Sequence, residues 1–481
     1  MTRHTRHLHH THPMRRAALA TAILLGTSAC ADAAVDPVDA PRDDAISGAL
    51  TRTTLDQLAT GVVAADRAAH TTFAYILFPA TFARDAYRID ASENRYVTET
   101  LGVNPDPGSF VGGGGWTLNY VAIRAATTLL DALPSAPESQ IGAEERSATA
   151  GFLRTLRALN YYRVIELRDT VGAPIQGSPD EETPIRCKPA VLAYVRAQLD
   201  SANAELVAAG AATRLPFALP SGFTGQGRDY RQVANLVRFN RGLKGKVDLY
   251  SAVSRQEPQP ALLPQAVAEL TEALGGAAPG AVAGATFASG VYHVYVPGGS
   301  EAFPNPFSDP RIGANPLARD SVQPGDARGA KIVPRAAGAL AGQGLSTAYT
   351  FAASVPSTAN ESRPLPVLKD EELVLLRAQA FLEAGQLGPA TADLNSVRTF
   401  YGLAPYATFA SQAAARDALL YEKRYSLLME GPQRLVDLRT YGRLNDANFR
   451  RELPTDPYNK VLPIPAAEVA ARGGGTLGCE P

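Results

Sequence analysis

Six aromatic side chains fall in stretches whose surroundings break regular structure: Tyr96, Phe110, Tyr292, Tyr295, Phe303 and Phe307. Polar companions stand close by in sequence, namely Asn94, Arg95, Asn305, Asp309 and Arg311. A flat ring offers an apolar face to the C–H groups of a pyranose, and neighbouring hydrogen-bonding groups fix its orientation. The pattern is therefore that of ligand capture without bond breaking. The chain holds 18 tyrosines and 16 phenylalanines, so each candidate competes with a plain packing role. Trp116, the sole tryptophan, precedes a helical pattern and reads as a packing residue. His293, between Tyr292 and Tyr295, fits the alternation of a half-buried strand as well as a ligand contact.

A second charged set, Glu422, Arg424, Glu430, Arg434, Asp437 and Arg439, contains the paired carboxylates that glycoside hydrolysis requires. Its helical spacing, with Glu430 and Arg434 four apart, reads instead as an ion-pair network fastening the final helices. Other catalytic signatures are missing from the sequence: there is no Walker-type phosphate loop, no G-x-S-x-G elbow and no H-E-x-x-H. The segment Gly342-Gln343-Gly344-Leu345-Ser346-Thr347 lacks the lysine of a P-loop, and the glycine run 112–115 reads as a flexible hinge. Five of seven histidines sit in the first thirteen residues. That leaves His70 and His293, too few for a histidine-based metal centre in the body. Asp309, Asp320 and Asp326 are carboxylates available to a calcium ion. The expectation is a protein that is not an enzyme and carries no cofactor or metal.

The elements that position these residues are mostly helical. Of 481 residues, 45% are apolar and 19% charged, with 41 Gly, 36 Pro and a net charge of −1. A sizeable core is possible, and the basic field that captures nucleic acid is absent. Helical stripes run through 116–133, 152–167, 191–206, 232–253, 265–274, 371–384, 389–399 and 416–430. Gly210, Gly275–Gly276 and Gly385 stand where helix C-caps belong. The best strand signal is 291–296. Between helices, Ala378 and Phe381 face Ala390, Leu394 and Val397, offsets similar to those of a tetratricopeptide repeat. The same triplet recurs at Ala126, Leu130, Leu133 and at Ala266, Leu270, Ala273. From about residue 276 to 365 the chain is crowded with Pro, Gly, Ser and Asn, and a long irregular stretch in a helical body is usually functional. The predicted fold is mainly α, tetratricopeptide-like helix pairs with a large irregular, short-strand portion.

The N-terminus reads as an address. Arg15 and Arg16 precede a short apolar run, then small residues leading to Cys30, the layout of a secretory signal. Met14 is the expected start of that signal. The small residues before Cys30 resemble a bacterial lipobox, with Thr27 where Leu is usual. Residues 1–29 are then a lipoprotein signal peptide and 30–50 a flexible tether from an acylated Cys30. Removing 1–29 takes away four arginines and no acid, leaving an acidic mature chain. Cys187 and Cys479 either pair or remain two separate thiols; the sequence alone leaves both open.

Three segments together resemble the SusD/RagB family of bacterial surface lipoproteins: Leu375-Leu376-Arg377-Ala378-Gln379-Ala380-Phe381-Leu382 with Ala392-Asp393-Leu394-Asn395-Ser396-Val397-Arg398; Glu422-Lys423-Arg424-Tyr425 with Glu430-Gly431-Pro432-Gln433-Arg434-Leu435-Val436-Asp437-Leu438-Arg439; and Leu462-Pro463-Ile464-Pro465-Ala466-Ala467-Glu468. The C-terminal Gly473-Gly474-Gly475 departs from the family pattern. The resemblance implies a SusD-like α-α superhelix, with a helical region at 51–275, an irregular insert at 276–365 carrying the ligand portion, and a C-terminal helical region at 366–481. It also implies a surface-facing outer-membrane lipoprotein that binds a nutrient, usually an oligosaccharide and sometimes a peptide. The implied partner is a TonB-dependent SusC-like barrel. A peptide-binding or adaptor role is the alternative, and a glycan hydrolase is the third reading.

Overall fold

Thr51 is extended, and its hydroxyl accepts the Thr54 N–H at 3.2 Å, an N-cap that satisfies an orphan donor of the helix it opens. That helix, α1 (Arg52–His70), buries Leu55, Ala59, Val62 and Val63 on one face. The computed structural model describes residues 50–176, 183–296 and 304–481. The signal segment 1–29, Cys30, nearly all of the tether and Phe303 lie outside the described residues.

Seven long helices follow in antiparallel pairs: α2 (Thr117–Ala132), α3 (Ala143–Arg168), α4 (Lys188–Ala209), α5 (Val233–Ala252), α6 (Leu263–Ala273), α7 (Asp370–Glu383) and α8 (Leu387–Phe400). Each packs on its neighbours in chain order, α1 on α2 through α7 on α8, which is the stacking of a helical-repeat superhelix. Gly210 and Gly385 end α4 and α7 at φ 86° and 75°, the left-handed conformation that glycine adopts at a helix C-terminus without a Cβ clash. The small–large–small triplets are the interlocking surfaces. Ala126, Leu133, Ala266, Leu270, Ala273, Ala390, Leu394 and Val397 are buried and Leu130 is half-buried, because small residues let helices approach while large ones fill the groove. Between α7 and α8, Arg377 binds Asp393 through two 2.8 Å hydrogen bonds, both side chains fully buried. Two further helices, α9 (Gln412–Ser426) and α10 (Gln433–Thr440), close the C-terminal end.

Of ten short strands among the described residues, one pair (Ala173–Pro174 with Ile185–Arg186) precedes α4, and eight bear on the site: β1 (Ala86–Arg88), β2 (Gly290–His293), β3 (Ile312–Ala314), β4 (Ile332–Pro334), β5 (Leu340–Gly342), β6 (Leu345–Thr347), β7 (Tyr349–Phe351) and β8 (Leu365–Lys369). They pair antiparallel as β1 with β3, β2 with β8, β4 with β7 and β5 with β6. No larger sheet forms among the described residues. The irregular portion is instead fastened by a second apolar core of its own. There Phe78, Phe82, Phe307, Ile312, Phe351, Tyr425 and Leu435 meet, apart from the core of the helical stack. The described residues form one compact unit, which the helical segments and the irregular insert share.

Three expectations need correction here. The helix read as 416–430 ends at Ser426, and Met429 takes φ 61°, so Glu430 and Arg434 do not share a helix. The strand at 291–296 stops at His293 and is buried along its whole length rather than alternately. The glycine run 112–115 is no hinge, since a Cβ on Gly112 would lie 2.0 Å from the Asp106 carbonyl. These glycines are required by close backbone packing.

Candidate functional site

The β2–β8 pair brings Tyr292 beside Leu365, Pro366 and Lys369, and the following residue pair of α7 adds Glu371. The end of α8 contributes Phe400 and Tyr401, the turn after α9 contributes Leu428–Glu430, and β7 and its successor residues contribute Phe351 and Ser354. Together with Phe287, Asn305, Phe307, Lys331 and Arg363 they enclose a cavity of about 490 Å³. That lies within the range of roughly 300–1,000 Å³ typical of small-molecule sites. Six of its walls are aromatic: Phe287, Tyr292, Phe307, Phe351, Phe400 and Tyr401. Phe400 is 51% exposed. It is held by edge contacts to Phe287 at 5.2 Å and Tyr401 at 4.9 Å between ring centroids.

The floor is charged and internally paired. Lys369 Nζ lies 2.9 Å from Glu371 and 2.7 Å from Glu430. Burial alone would depress Lys369, but Glu430 and Glu371 outweigh it and hold the ammonium above the ordinary lysine range. Glu371 is the mirror case: burial would raise it, yet Lys369 and Lys331 keep it below the ordinary carboxylate range. Lys331 donates to the carbonyls of Tyr425 and Ser426, each at 2.8 Å. Burial pulls it down to about 8 despite Glu430. One buried hydroxyl on the lining, Ser354 Oγ, has no hydrogen-bond partner, whereas the Tyr401 and Ser426 hydroxyls stand against the Glu371 carboxylate. Such an orphan is costly in a closed interior and natural in a site that receives a polar ligand.

Of the residues singled out by sequence, Tyr292, Asn305 and Phe307 line this cavity, though not all as free contacts. The Asn305 side chain is committed, donating to the Arg363 carbonyl at 2.8 Å and accepting the Phe307 N–H at 2.9 Å. It shapes the turn that delivers Phe307. The Tyr292 hydroxyl donates to the Ala288 carbonyl at 2.7 Å, leaving its ring as the available surface. Tyr295 lies outside the lining, buried beneath the Arg67 guanidinium.

Tyr96 and Phe110 form a second aromatic group, 4.9 Å apart, which reaches Phe307 through Phe73. Arg88 sits 3.7 Å over the Tyr96 ring and Arg95 sits 4.8 Å over Phe110. Each guanidinium covers one face of its ring: Tyr96 walls the Arg88, Asp90, Asp309 and Arg311 cluster, while Phe110 remains 39% exposed outside the cavity lining. Asp309 and Arg311 thus converge, but on charge pairing, while Arg95 pairs with Glu93 instead. Asn94 is exposed.

The remaining candidates are structural. Trp116 is buried under Arg168 and against Tyr120. His293 is buried with its Nε2 2.9 Å from Asp66. Glu422 binds Arg328 and Arg398, Arg424 and Arg434 share Asp85, Asp437 binds Lys423 and Arg439 binds Asp169. These are long-range partners rather than neighbours on one helix. Asp309 and Asp326 are likewise taken by Arg311 and Arg328, and no cluster suited to a metal ion occurs among the described residues. Cys187 and Cys479 are joined by a disulfide, with Cα atoms 4.9 Å apart.

Sequence reasoning missed Phe287, Phe351, Phe400 and Tyr401. Phe400 and Tyr401 close a helix whose stripe reads as core, and only the exposure of Phe400 next to a tight loop distinguishes them.

The architecture is that of a helical-repeat protein whose open cavity lies between the repeats and an irregular insert. No protein-family model matches the chain, and no curated protein matches it by sequence. Solved structures do. A SusD superfamily protein from Bacteroides thetaiotaomicron superposes with a TM-score of 0.66 at 15% identity, over 88% of this chain and 98% of that one. A SusD-like carbohydrate-binding protein from Bacteroides vulgatus gives 0.59 at 16% identity over 81% and 83%. A laminarin-binding SusD-like protein gives 0.57 at 18% identity over 86% and 96%. This chain has the SusD-like fold.

Proposed function

We propose that this protein is a lipid-anchored receptor of the outer-membrane surface that captures an oligosaccharide and passes it to a TonB-dependent SusC-like barrel. The observation that carries the reading is the cavity of about 490 Å³ with six aromatic walls, one of them, Phe400, half exposed. Apolar ring faces beside hydrogen-bonding groups are what a sugar needs and what a neutral lipid does not. The SusD-like fold, shared with a carbohydrate-binding and a laminarin-binding protein, supports the same ligand class. Anchoring through Cys30 and the barrel partner follow from the lipobox and the family resemblance.

A hydrolytic role is disfavoured by the floor. Glycoside hydrolysis needs one carboxyl that stays protonated near neutrality. Here Glu371 is kept ionised by two lysines, and Lys369 stands between it and Glu430.

Two measurements test the reading. Calorimetry of the mature protein against a panel of neutral and charged oligosaccharides and short peptides should give saturable heat with at least one glycan, with no new reducing ends on prolonged incubation. Mild cross-linking in intact outer membranes, followed by detergent extraction, should recover a large β-barrel with an acylated form of this chain. Heat only with peptides, or a soluble unacylated chain, overturns it.

A further inference from the structure

The cavity is unevenly charged. Lys331, Arg363 and Lys369 face Glu371 and Glu430, so cations exceed carboxylates by one. The two carboxylates are spoken for within the floor, both bound by Lys369. Lys331 spends two donors on backbone carbonyls.

Arg363 is different. It is exposed at the rim. Among the described residues its guanidinium makes no hydrogen bond, ion pair or ring contact, while its own carbonyl is held by Asn305. Nearly every other arginine of the cavity's surroundings is paired: Arg328 with Asp326 and Glu422, Arg398 with Glu422, Arg228 with Asp370. An unpaired guanidinium beside aromatic walls is a ready fork for a planar carboxylate. Deeper in, the Ser354 hydroxyl is 1% exposed and has no hydrogen-bond partner. A hydroxyl both donates and accepts, so a ligand hydroxyl can complete it.

We infer that the cavity takes a sugar residue bearing a carboxylate, the acid on Arg363 at the rim, the ring against Phe400 and its neighbours, and a hydroxyl on Ser354 Oγ. This rests on the glycan reading above and specifies its ligand class. Free Arg363 selects the acid; the aromatic walls and the unpaired Ser354 hydroxyl select the sugar. An aliphatic acid would leave that hydroxyl unpaired. A neutral sugar would leave the surplus positive charge uncompensated.

The test uses the full mature chain and three probes in calorimetry: a disaccharide ending in glucuronic acid, its matched glucose counterpart, and a dipeptide. The acidic disaccharide should bind at least tenfold more tightly than the neutral one, equivalent to about 1.4 kcal/mol. Arg363→Gln, at an exposed position, should leave the melting temperature unchanged and abolish that preference by weakening the acid alone. Arg363→Lys should restore part of it. Ser354→Ala should weaken both sugars by a similar factor. Equal affinity for the two disaccharides, or an Arg363→Gln effect the same on both, overturns the inference and leaves the glycan reading intact. Binding of the dipeptide but neither sugar overturns both.

Discussion

The bond between Cys187 and Cys479 ties the last residues of the chain to the N-terminus of α4 across a sequence separation of 292. Beside it, the tail is held by backbone bonds, Cys187 N–H to the Glu480 carbonyl at 2.7 Å and Glu480 N–H to the Ile185 carbonyl at 2.8 Å, and by Arg186 on the Pro481 carbonyl at 3.1 Å and Arg472 on the Thr183 carbonyl at 2.7 Å. In the chain-entropy treatment, closing a loop of this length removes roughly 19 cal/mol/K from the unfolded ensemble, or about 5.7 kcal/mol at 25 °C. The unfolding entropy of the body, at about 2.1 cal/mol/K per residue, is roughly 0.9 kcal/mol/K. The full effect therefore corresponds to a fall in Tm of about 6 °C. Fraying of the glycine-rich tail, exposed at Gly473–Gly475, returns entropy to the reduced native state, so that figure is a ceiling. The usual lower value of about 2 kcal/mol sets a floor near 2 °C. Differential scanning calorimetry of the Cys187→Ser/Cys479→Ser double variant should fall in this interval, and wild type in reductant should reach the same Tm. A shift below 1 °C would show that the loop contributes nothing. A fall beyond about 10 °C would show that the tail organises more of the native state than its contacts indicate.

Three other outcomes follow from the geometry. Arg377→Ala leaves Asp393 buried and unpaired between α7 and α8, and should cost about 3–5 kcal/mol in denaturant unfolding; a loss under 1 kcal/mol would remove that pair from the account of the helix stack. Phe400→Ala should weaken oligosaccharide binding by up to roughly tenfold with little change in Tm, because half the ring is already solvated; unaltered affinity would place the ligand elsewhere. Acid should destabilise the fold. Burial first, and Arg163 among the neighbours, hold His70 and His293 below the ordinary 6.5, so near that pH the unfolded chain takes up protons that the folded chain refuses. Stability is complete above pH 6.5 and falls as pH drops, by up to about 1.4 kcal/mol per unit for each histidine. Asp66 has burial raising it and Arg163 and His293 outweighing that, so it adds further loss below the ordinary carboxylate range. Equal Tm at pH 7.5 and 5.0 would contradict this.

Helix pairing was legible because its signal is local. Ala390, Leu394 and Val397 face Ala378 and Phe381 in the sequence pattern and in the packed α7–α8 pair alike, since the helical period itself sets which residues share a face. The stretch α1 was harder to read because its buried side carries Asp66 and His70. Their polarity hides the stripe and makes sense only once Arg163 and His293 arrive from distant segments. The candidate site was read in part. Tyr292 and Phe307 reach the cavity, whereas Tyr295 and Tyr96 are covered by arginines 228 or 8 positions away in sequence, contacts that spacing does not encode.

By itself, the amino-acid sequence determined the helical class, the irregular insert and the supply of aromatic side chains, because composition and short-range periodicity act through local backbone geometry. Tertiary structure alone decided which rings remain open, that the Glu430 carboxylate answers to Lys369 rather than to Arg434, and that Arg363 is left unpaired. Those outcomes depend on which segments, tens to hundreds of residues apart, compete for the same charge or the same ring face, and that competition is settled only when the chain is packed.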